Sequence, residues 1–172
     1  EKKELRKTYL RPKRPKAWDG DPDLWLDNVN IQNVMEQYEE ACPWFRYLGV
    51  FPIDFSAPDP YQKNRTAAPQ CLYKETCNLH LKKEYAKGVR GIGMIFNLDP
   101  HFKGGSHWVA LYINLQNIKK PIASYFDSYG YKTPEMIARL MKSFLLQIET
   151  CELGYNARRF QYGGSECGMF SL

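Results

Sequence analysis

The clearest hydrophobic pattern lies in residues 91–127 and predicts three consecutive β-strands. Gly91–Leu98 is a short apolar run, and both alternating faces of His107–Leu115 are largely apolar, which is typical of a central strand. Ile122–Asp127 follows a turn over residues 116–121 and is the third strand. Because neighbouring strands joined by short turns run in opposite directions, we expect a mainly antiparallel sheet.

Two other segments repeat their apolar residues at helical spacing. Residues 24–40 predict a helix with Asp27 or Asn28 as its N-cap. A second amphipathic helix is expected to begin with Thr133 as N-cap and Pro134 at the first helical position. Helices on a mixed, mainly antiparallel sheet define an α+β fold.

The remaining segments give weaker patterns. Residues 44–55 are aromatic and β-prone, but Pro52 limits any strand there to a short or edge strand. Residues 56–70 have the composition of a loop, and residues 71–87 could form a short helix. A last short strand is expected over residues 157–161.

The basic charge is concentrated at the N-terminus. The protein has a net charge of +5, whereas residues 1–16 alone sum to +6, so the rest is close to neutral. We therefore divide the chain into a basic arm over residues 1–23 and one domain over residues 24–172. Residues 1–16 could contact nucleic acid by counterion release or form a solvated tail, and both interpretations stay open. No apolar run reaches the roughly 18 residues of a membrane span, so no membrane partner is expected.

The cysteines indicate a reducing compartment. There are five, without a C-x-x-C pair, and the charged N-terminus does not resemble a signal peptide. We therefore expect free thiols. Cys71, Cys77 and His80 form at most a partial zinc set without an evident fourth ligand, so no metal or organic cofactor is expected.

Four residues form a candidate catalytic set. Cys167 lies where a helix is expected from Glu166 onward, and a helix N-terminus favours the reactive thiolate. His107 opens one strand and Asp127 closes the next, so the two should lie side by side as base and orienting acid. Gln161 could donate an amide hydrogen to the oxyanion. Gly168 would leave room for a substrate backbone.

These motifs resemble the superfamily of SUMO or ubiquitin-like-protein proteases and adenovirus protease. The resemblance rests on His107-Trp108, Asp127-Ser128, the Gln161-x5-Cys167-Gly spacing and the upstream Trp25-Leu26-Asp27-Asn28. It implies an adenain-like fold and a cysteine peptidase, with Trp25 over the substrate's glycines and Trp108 as a wall of the channel. The Asp27-Asn28 order is reversed relative to that family.

Within this superfamily, the sequence motifs are most similar to those of proteases of large cytoplasmic DNA viruses. The segments concerned are Phe51–Phe55, Gly104–Trp108, Tyr125–Gly130 and Ser165–Met169. The resemblance implies cleavage of capsid or core precursors at small-residue, Gly-Gly-type sites, in the virion and the host cytoplasm.

Three alternatives stay open. The first is an isopeptidase acting on SUMO or another ubiquitin-like protein, and the second is a catalytically silent binding module on the same fold. The third is a protein that binds nucleic acid through its arm. The helix that carries Cys167 reaches Leu172 after five residues, so we also expect further C-terminal residues, or a partner that packs on it.

Overall fold

A five-stranded mixed sheet organises the part of the protein that the structure, a computed structural model, describes: residues 12–21, 23–62 and 70–172. The strands follow one another across the sheet in chain order. Their bounds are β1 Phe45–Pro52, β2 Gly91–Asn97, β3 Trp108–Asn114, β4 Ile122–Phe126 and β5 Glu152–Tyr155.

The central and outer strands pair differently. Strands β2, β3 and β4 are antiparallel, as the short turns between them predict, whereas β1 pairs with β2 and β4 pairs with β5 in parallel. The outer pairs can be parallel because helices lie in the long connections between those strands. The sheet is therefore mixed as expected, but its antiparallel part is limited to the centre.

Five α-helices accompany the sheet within the described residues: α1 Asn28–Ala41, α2 Lys74–Cys77, α3 Leu81–Ala86, α4 Glu135–Gln147 and α5 Cys167–Ser171. A short 3-10 helix spans Lys16–Asp19. No helix among the described residues is long and apolar enough to cross a membrane.

Helix boundaries differ from two of the expectations. Helix α1 begins at Asn28 rather than residue 24, because Asp27 is the N-cap and accepts the Asn30 backbone N–H at 2.7 Å. Helix α4 begins at Glu135 with Pro134 as its N-cap, so the expectation for Thr133 is wrong by one position. Pro134 has an extended ψ of 149°, and it precedes the helix instead of starting it.

The core is divided between the two faces of the sheet. Helix α4 packs on one face, where its Phe144 and the alternate strand residues Ile92 and Leu111 are fully buried. The opposite face carries Ile95 and Trp108 and is covered by α1 and by the segment that holds Cys167. The candidate nucleophile is thus part of the smaller hydrophobic cluster.

The expected strand at residues 157–161 is wrong. The last strand is β5, and the later segment instead bonds to the loop after β4, with the Phe160 and Gln161 N–H groups both donating to the Ser128 carbonyl, at 2.7 and 2.9 Å. Residues 71–87 form two short helices rather than one.

Two of the five cysteines are joined. Cys71 and Cys77 form a disulfide, so the expectation of free thiols is wrong for this pair, while Cys42, Cys151 and Cys167 are free. The basic arm is described only from residue 12, where the Lys13 backbone N–H donates to the Gln37 side chain on α1 at 3.0 Å. The expected nucleic-acid contact falls mostly on residues 1–11, outside the described residues.

Candidate active site

His107 and Asp127 meet at one end of the central antiparallel strands. His107 directly precedes β3, and Asp127 directly follows β4. The His107 Nε2 atom lies 2.8 Å from Asp127 Oδ1. The β3–β4 register pairs Ala110 with Phe126, so continuing it places His107 diagonally from Asp127, within reach of an imidazole.

Asp127 is completely buried and is fixed through its backbone by Asn156. The Asn156 Oδ1 atom accepts the Asp127 N–H at 2.8 Å, and the Asn156 amide donates to the Asp127 carbonyl at 2.7 Å. The same amide donates to the Arg158 carbonyl at 3.0 Å. Because buried backbone groups are costly to leave unpaired, this side chain sets the conformation of the turn that presents the carboxylate.

The ring of His107 lies between Asp127 and Cys167. Since Nε2 bonds to Asp127, Nδ1 is the atom available to the Cys167 thiol. Burial lowers the pKa of His107, but hydrogen bonds and charge interactions with Cys167 and Asp127 outweigh it, and the pKa is raised overall. The imidazolium is therefore stabilised between a thiol and a carboxylate.

Cys167 is the first residue of α5, which packs against β3. Burial raises the pKa of its thiol, but the hydrogen bond with His107, the charge of His107 and the backbone N–H groups of Trp108 and Gly168 outweigh burial and lower it overall. The thiolate is therefore stabilised by His107 and by the backbone N–H groups of Trp108 and Gly168, the last of which belongs to the first turn of α5.

Cys151 provides a contrast within the same chain. It is buried and free like Cys167, yet burial raises the pKa of Cys151, with Glu152 acting in the same direction, and one backbone hydrogen bond does not reverse the shift. The structure therefore singles out Cys167 as the acidic thiol of these two.

Gln161 is fully buried, and both polar atoms of its side-chain amide have hydrogen-bond partners. Its Oε1 accepts from the Ser128 hydroxyl at 2.6 Å, and its Nε2 donates to the Gly163 carbonyl at 2.8 Å and the Tyr129 hydroxyl at 3.1 Å. Both amide hydrogens are engaged, so contact with an oxyanion requires one of these bonds to be exchanged. Its role as oxyanion donor stays a prediction.

Tyr129 is a site residue that the sequence did not single out. Its ring lies 5.0 Å from the His107 ring, between centroids, and its backbone N–H donates to Asp127 Oδ1 at 2.9 Å. Its hydroxyl lies between the Gln161 amide and the Gly163 carbonyl. In the sequence, Tyr129 could have been noticed only because it lies two residues after the aspartate that ends β4. Nothing in the sequence around Asn156 indicates that its side chain fixes the backbone of Asp127.

A cleft of about 380 Å³ lies on the side of β3 that faces β2, away from β4. Trp25 and Trp108 are in its lining. Trp25 is 49% exposed, whereas Trp108 is nearly buried and donates its indole N–H to the Leu26 carbonyl at 2.8 Å. The cleft also contains Asp27 and the loop up to Ser106, directly before His107. The structure therefore places both tryptophans along one surface that ends at the candidate base.

Gly168 packs closely on the segment before α1. It is buried, and a Cβ atom there would lie 3.0 Å from the Leu26 Cβ. The absent side chain makes room for Leu26 and so allows α5 to approach the segment before α1; the expectation that Gly168 also leaves room for a substrate backbone stays a prediction. Among the described residues, no group of three or more His, Cys, Asp or Glu side chains is arranged to hold a metal ion.

Comparisons of sequence give two viral relatives. No family model matches the chain. A protein of Acanthamoeba polyphaga mimivirus that is named a thiol protease is 30% identical over 156 residues, which are 86% of this chain and 45% of that protein. A cysteine protease of African swine fever virus is 26% identical over 156 residues, or 86% of this chain and 55% of the relative. The chain thus spans about half the length of these relatives.

Comparisons of structure show a shared fold. The crystal structure of the African swine fever virus protease aligns with a TM-score of 0.67 and 19% identity, covering 87% of this chain and 55% of that one. The ULP1 protease domain, solved in complex with SMT3, the yeast ortholog of SUMO, aligns with a TM-score of 0.55 and 17% identity over 88% of this chain and 64% of that domain. The predicted α+β fold and the predicted resemblance are both confirmed.

Proposed function

We propose that this chain, which has the fold of the superfamily of SUMO proteases and viral cysteine proteases, is a cysteine endopeptidase domain. One observation carries the proposal: His107 bonds to the buried Asp127 through one ring nitrogen and faces a thiol of lowered pKa with the other. This arrangement supplies a nucleophile, a base and an orienting acid in contact with one another.

In the proposed reaction, the Cys167 thiolate attacks the carbonyl carbon of the scissile peptide bond. The carbon–sulfur bond forms. The oxyanion accepts hydrogen bonds from the Cys167 backbone N–H and from the Gln161 amide, after that amide gives up one of its present acceptors. As the carbon–nitrogen bond breaks, the proton on His107 Nδ1 passes to the leaving amine. Water, deprotonated by His107, then hydrolyses the thioester and releases the acyl product and the thiolate.

We further propose that the substrates are viral capsid or core precursor proteins, cleaved at small-residue, Gly-Gly-type sites during virion maturation. The similarity to proteins of two large DNA viruses supports a viral substrate. A preference for residues with little or no side chain is supported by the resemblance that places Trp25 over the substrate's glycines, together with the position of Trp25 and Trp108 in one cleft. The same proposal places the protein in the virion and host cytoplasm, which mass spectrometry of purified particles would test.

The deciding experiment is incubation with Gly-Gly-containing precursor peptides, with the products identified by mass spectrometry. The parent protein should cleave them, Cys167→Ala should not, and Cys151→Ala should retain activity as the matched control for loss of a buried free thiol. Cleavage that survives Cys167→Ala would sink the proposed mechanism.

A second candidate is removal of SUMO or another ubiquitin-like protein. It is favoured by the name SUMO-1 cysteine protease among the African swine fever virus relatives and by the ULP1 complex with SMT3. A SUMO vinyl sulfone probe distinguishes the two functions. Rapid labelling of Cys167, together with slow cleavage of precursor peptides, would favour deconjugation over precursor processing.

A further inference from the structure

We infer that the surface beyond His107 binds acidic side chains of the substrate, on the side of the scissile bond opposite the Trp25–Trp108 cleft. This inference rests on the proposed function and adds a substrate class to it. The surface, here called the basic wall, has six residues that combine cations with tyrosine rings: Tyr129, Tyr131, Lys132, Arg158, Arg159 and Tyr162.

The basic wall begins at the candidate base. Tyr129 lies with its ring centroid 5.0 Å from that of His107, and Tyr131 continues the line at 5.8 Å from Tyr129. The guanidinium carbon of Arg159 lies over the rings of Tyr129 and Tyr162, at 5.3 and 5.0 Å from their centroids. A molecule in contact with this surface is therefore adjacent to the atoms at which peptide cleavage would occur.

The wall is built by tight packing of two backbone segments. A Cβ atom on Gly130, which has a φ of +76°, would lie 2.8 Å from the carbonyl carbon of Arg158. Asn156 and the Ser128 carbonyl join the same two segments by hydrogen bonds. The cations are therefore carried on the turn that also positions Asp127, and their backbone positions are fixed before a substrate arrives.

The cations are available to a ligand. Lys132, Arg158 and Arg159 are exposed and take part in none of the ion pairs within the described residues. Arg159 uses its Nε–H on the Gln161 carbonyl at 2.6 Å, which leaves its terminal nitrogens for a partner. A guanidinium held against aromatic rings suits a carboxylate, because its planar donors can form paired hydrogen bonds.

Among the described residues, Asp127 and Glu166 are the acidic side chains near this surface, and Asp127 is paired with His107. Glu166 accepts the backbone N–H of Gly163 at 3.3 Å, so it is engaged with the loop before Cys167. Three unpaired cations against the carboxylate of Glu166 leave the wall positive. The wall also shares no residue with the lining of the cleft. These two surfaces therefore suit opposite halves of an extended peptide, and the position beside His107 favours a peptide over a nucleic acid.

The test uses two Gly-Gly-containing peptides that differ only by Glu or Gln at two positions after the scissile bond. The parent protein should cleave the Glu peptide with a higher kcat/KM, by about threefold per acidic residue at low ionic strength, and the preference should vanish near 1 M salt. Arg159→Gln should weaken the preference, Arg159→Lys should keep more of it, and the exposed Lys142→Gln on α4 should retain it in full.

Three results would overturn the inference while leaving the proposed function intact. The parent and Arg159→Gln could show equal Glu-to-Gln ratios, or the parent could cleave the Glu peptide no faster than the Gln peptide. A single-stranded oligonucleotide could inhibit cleavage of the Gln peptide in the parent but not in Arg159→Gln, which would assign the wall to nucleic acid. Failure to cleave either peptide, or cleavage by Cys167→Ala, would instead overturn the proposed function and this inference with it.

Discussion

Substitution of Asn156 tests whether one amide side chain holds the turn that presents Asp127. Asn156→Ala removes three hydrogen bonds, to the Asp127 N–H, the Asp127 carbonyl and the Arg158 carbonyl. At about 1 kcal/mol each, the free energy of unfolding should fall by about 2–3 kcal/mol. Urea unfolding monitored by tryptophan fluorescence measures this loss.

Asn156→Asp keeps the shape of the side chain but should be no milder at pH 8. It retains an acceptor for the Asp127 N–H, whereas the former donor becomes an oxygen facing two carbonyls at 2.7 and 3.0 Å. We expect the free energy of unfolding to fall by at least the amount lost in Asn156→Ala. Like charge from Asp127 adds to this cost.

The cost of Asn156→Asp should depend on pH in a defined direction. The folded state disfavours the charged form of the introduced carboxyl, so its pKa is raised above the unfolded value near 3.9. Stability associated with the protonated form is then present at low pH and lost as pH rises through the folded pKa. The deficit relative to the parent should therefore be smaller at pH 5 than at pH 8.

The exposed Asn33 on α1 provides the control, since Asn33→Ala and Asn33→Asp should each change stability by less than about 0.5 kcal/mol. The reasoning would be refuted if Asn156→Asp matched the parent within that margin at pH 8. Alkylation of Cys167 should slow in both Asn156 variants, because His107 loses a fixed partner. Unchanged alkylation with reduced stability would separate the turn from the site.

Three more predictions follow from single contacts. Iodoacetamide should alkylate Cys167 from a lower pH than an ordinary thiol, because the pKa of Cys167 is lowered. His107→Gln should move the onset to higher pH, and an unmoved onset would contradict the stabilisation of the thiolate by His107. Gly168→Ala should cost about 1–3 kcal/mol of unfolding free energy through its contact with Leu26, and additive losses in a cycle with Leu26→Ala would argue against that contact. Cys71→Ser removes the disulfide that closes a loop of sequence separation 6, so the free energy of unfolding should fall by about 2 kcal/mol. The Tm of the variant should be lower than that of the parent without reductant and equal to it with reductant. The same difference in both conditions would exclude the disulfide as its cause.

The sequence predicted those helices and strands whose structure depends mainly on neighbouring residues in the chain. The three central strands, α1 and α4 follow from apolar periodicity, and the two strand ends at His107 and Asp127 follow from antiparallel pairing. The outer strands were less predictable, because their parallel partners are distant in sequence. Residues 157–161 have strand-like composition, but tertiary bonds to Ser128 replace a ladder there.

The candidate site shows the same limit. Cys167, His107, Asp127 and Gln161 were selected by residue type and order; the structure pairs His107 with Asp127, and the catalytic roles of all four stay predictions. The functions of Asn156 and Tyr129 could not be predicted, because they depend on which backbone groups a folded turn leaves to be paired. The contact between Gly168 and Leu26 was not predicted for the same reason, since it depends on how distant segments pack.

Because Cys167 lies on α5, the reactivity of its thiol depends on the fraction of molecules in which α5 is packed in place. Helix α5 packs against β3. Whenever this segment detaches, Cys167 loses His107 and the Trp108 N–H together, and its acidity returns to that of an ordinary thiol. Such local opening costs less than global unfolding. A ligand that contacts both α5 and β3 would therefore increase the reactive fraction without altering any single bond to sulfur.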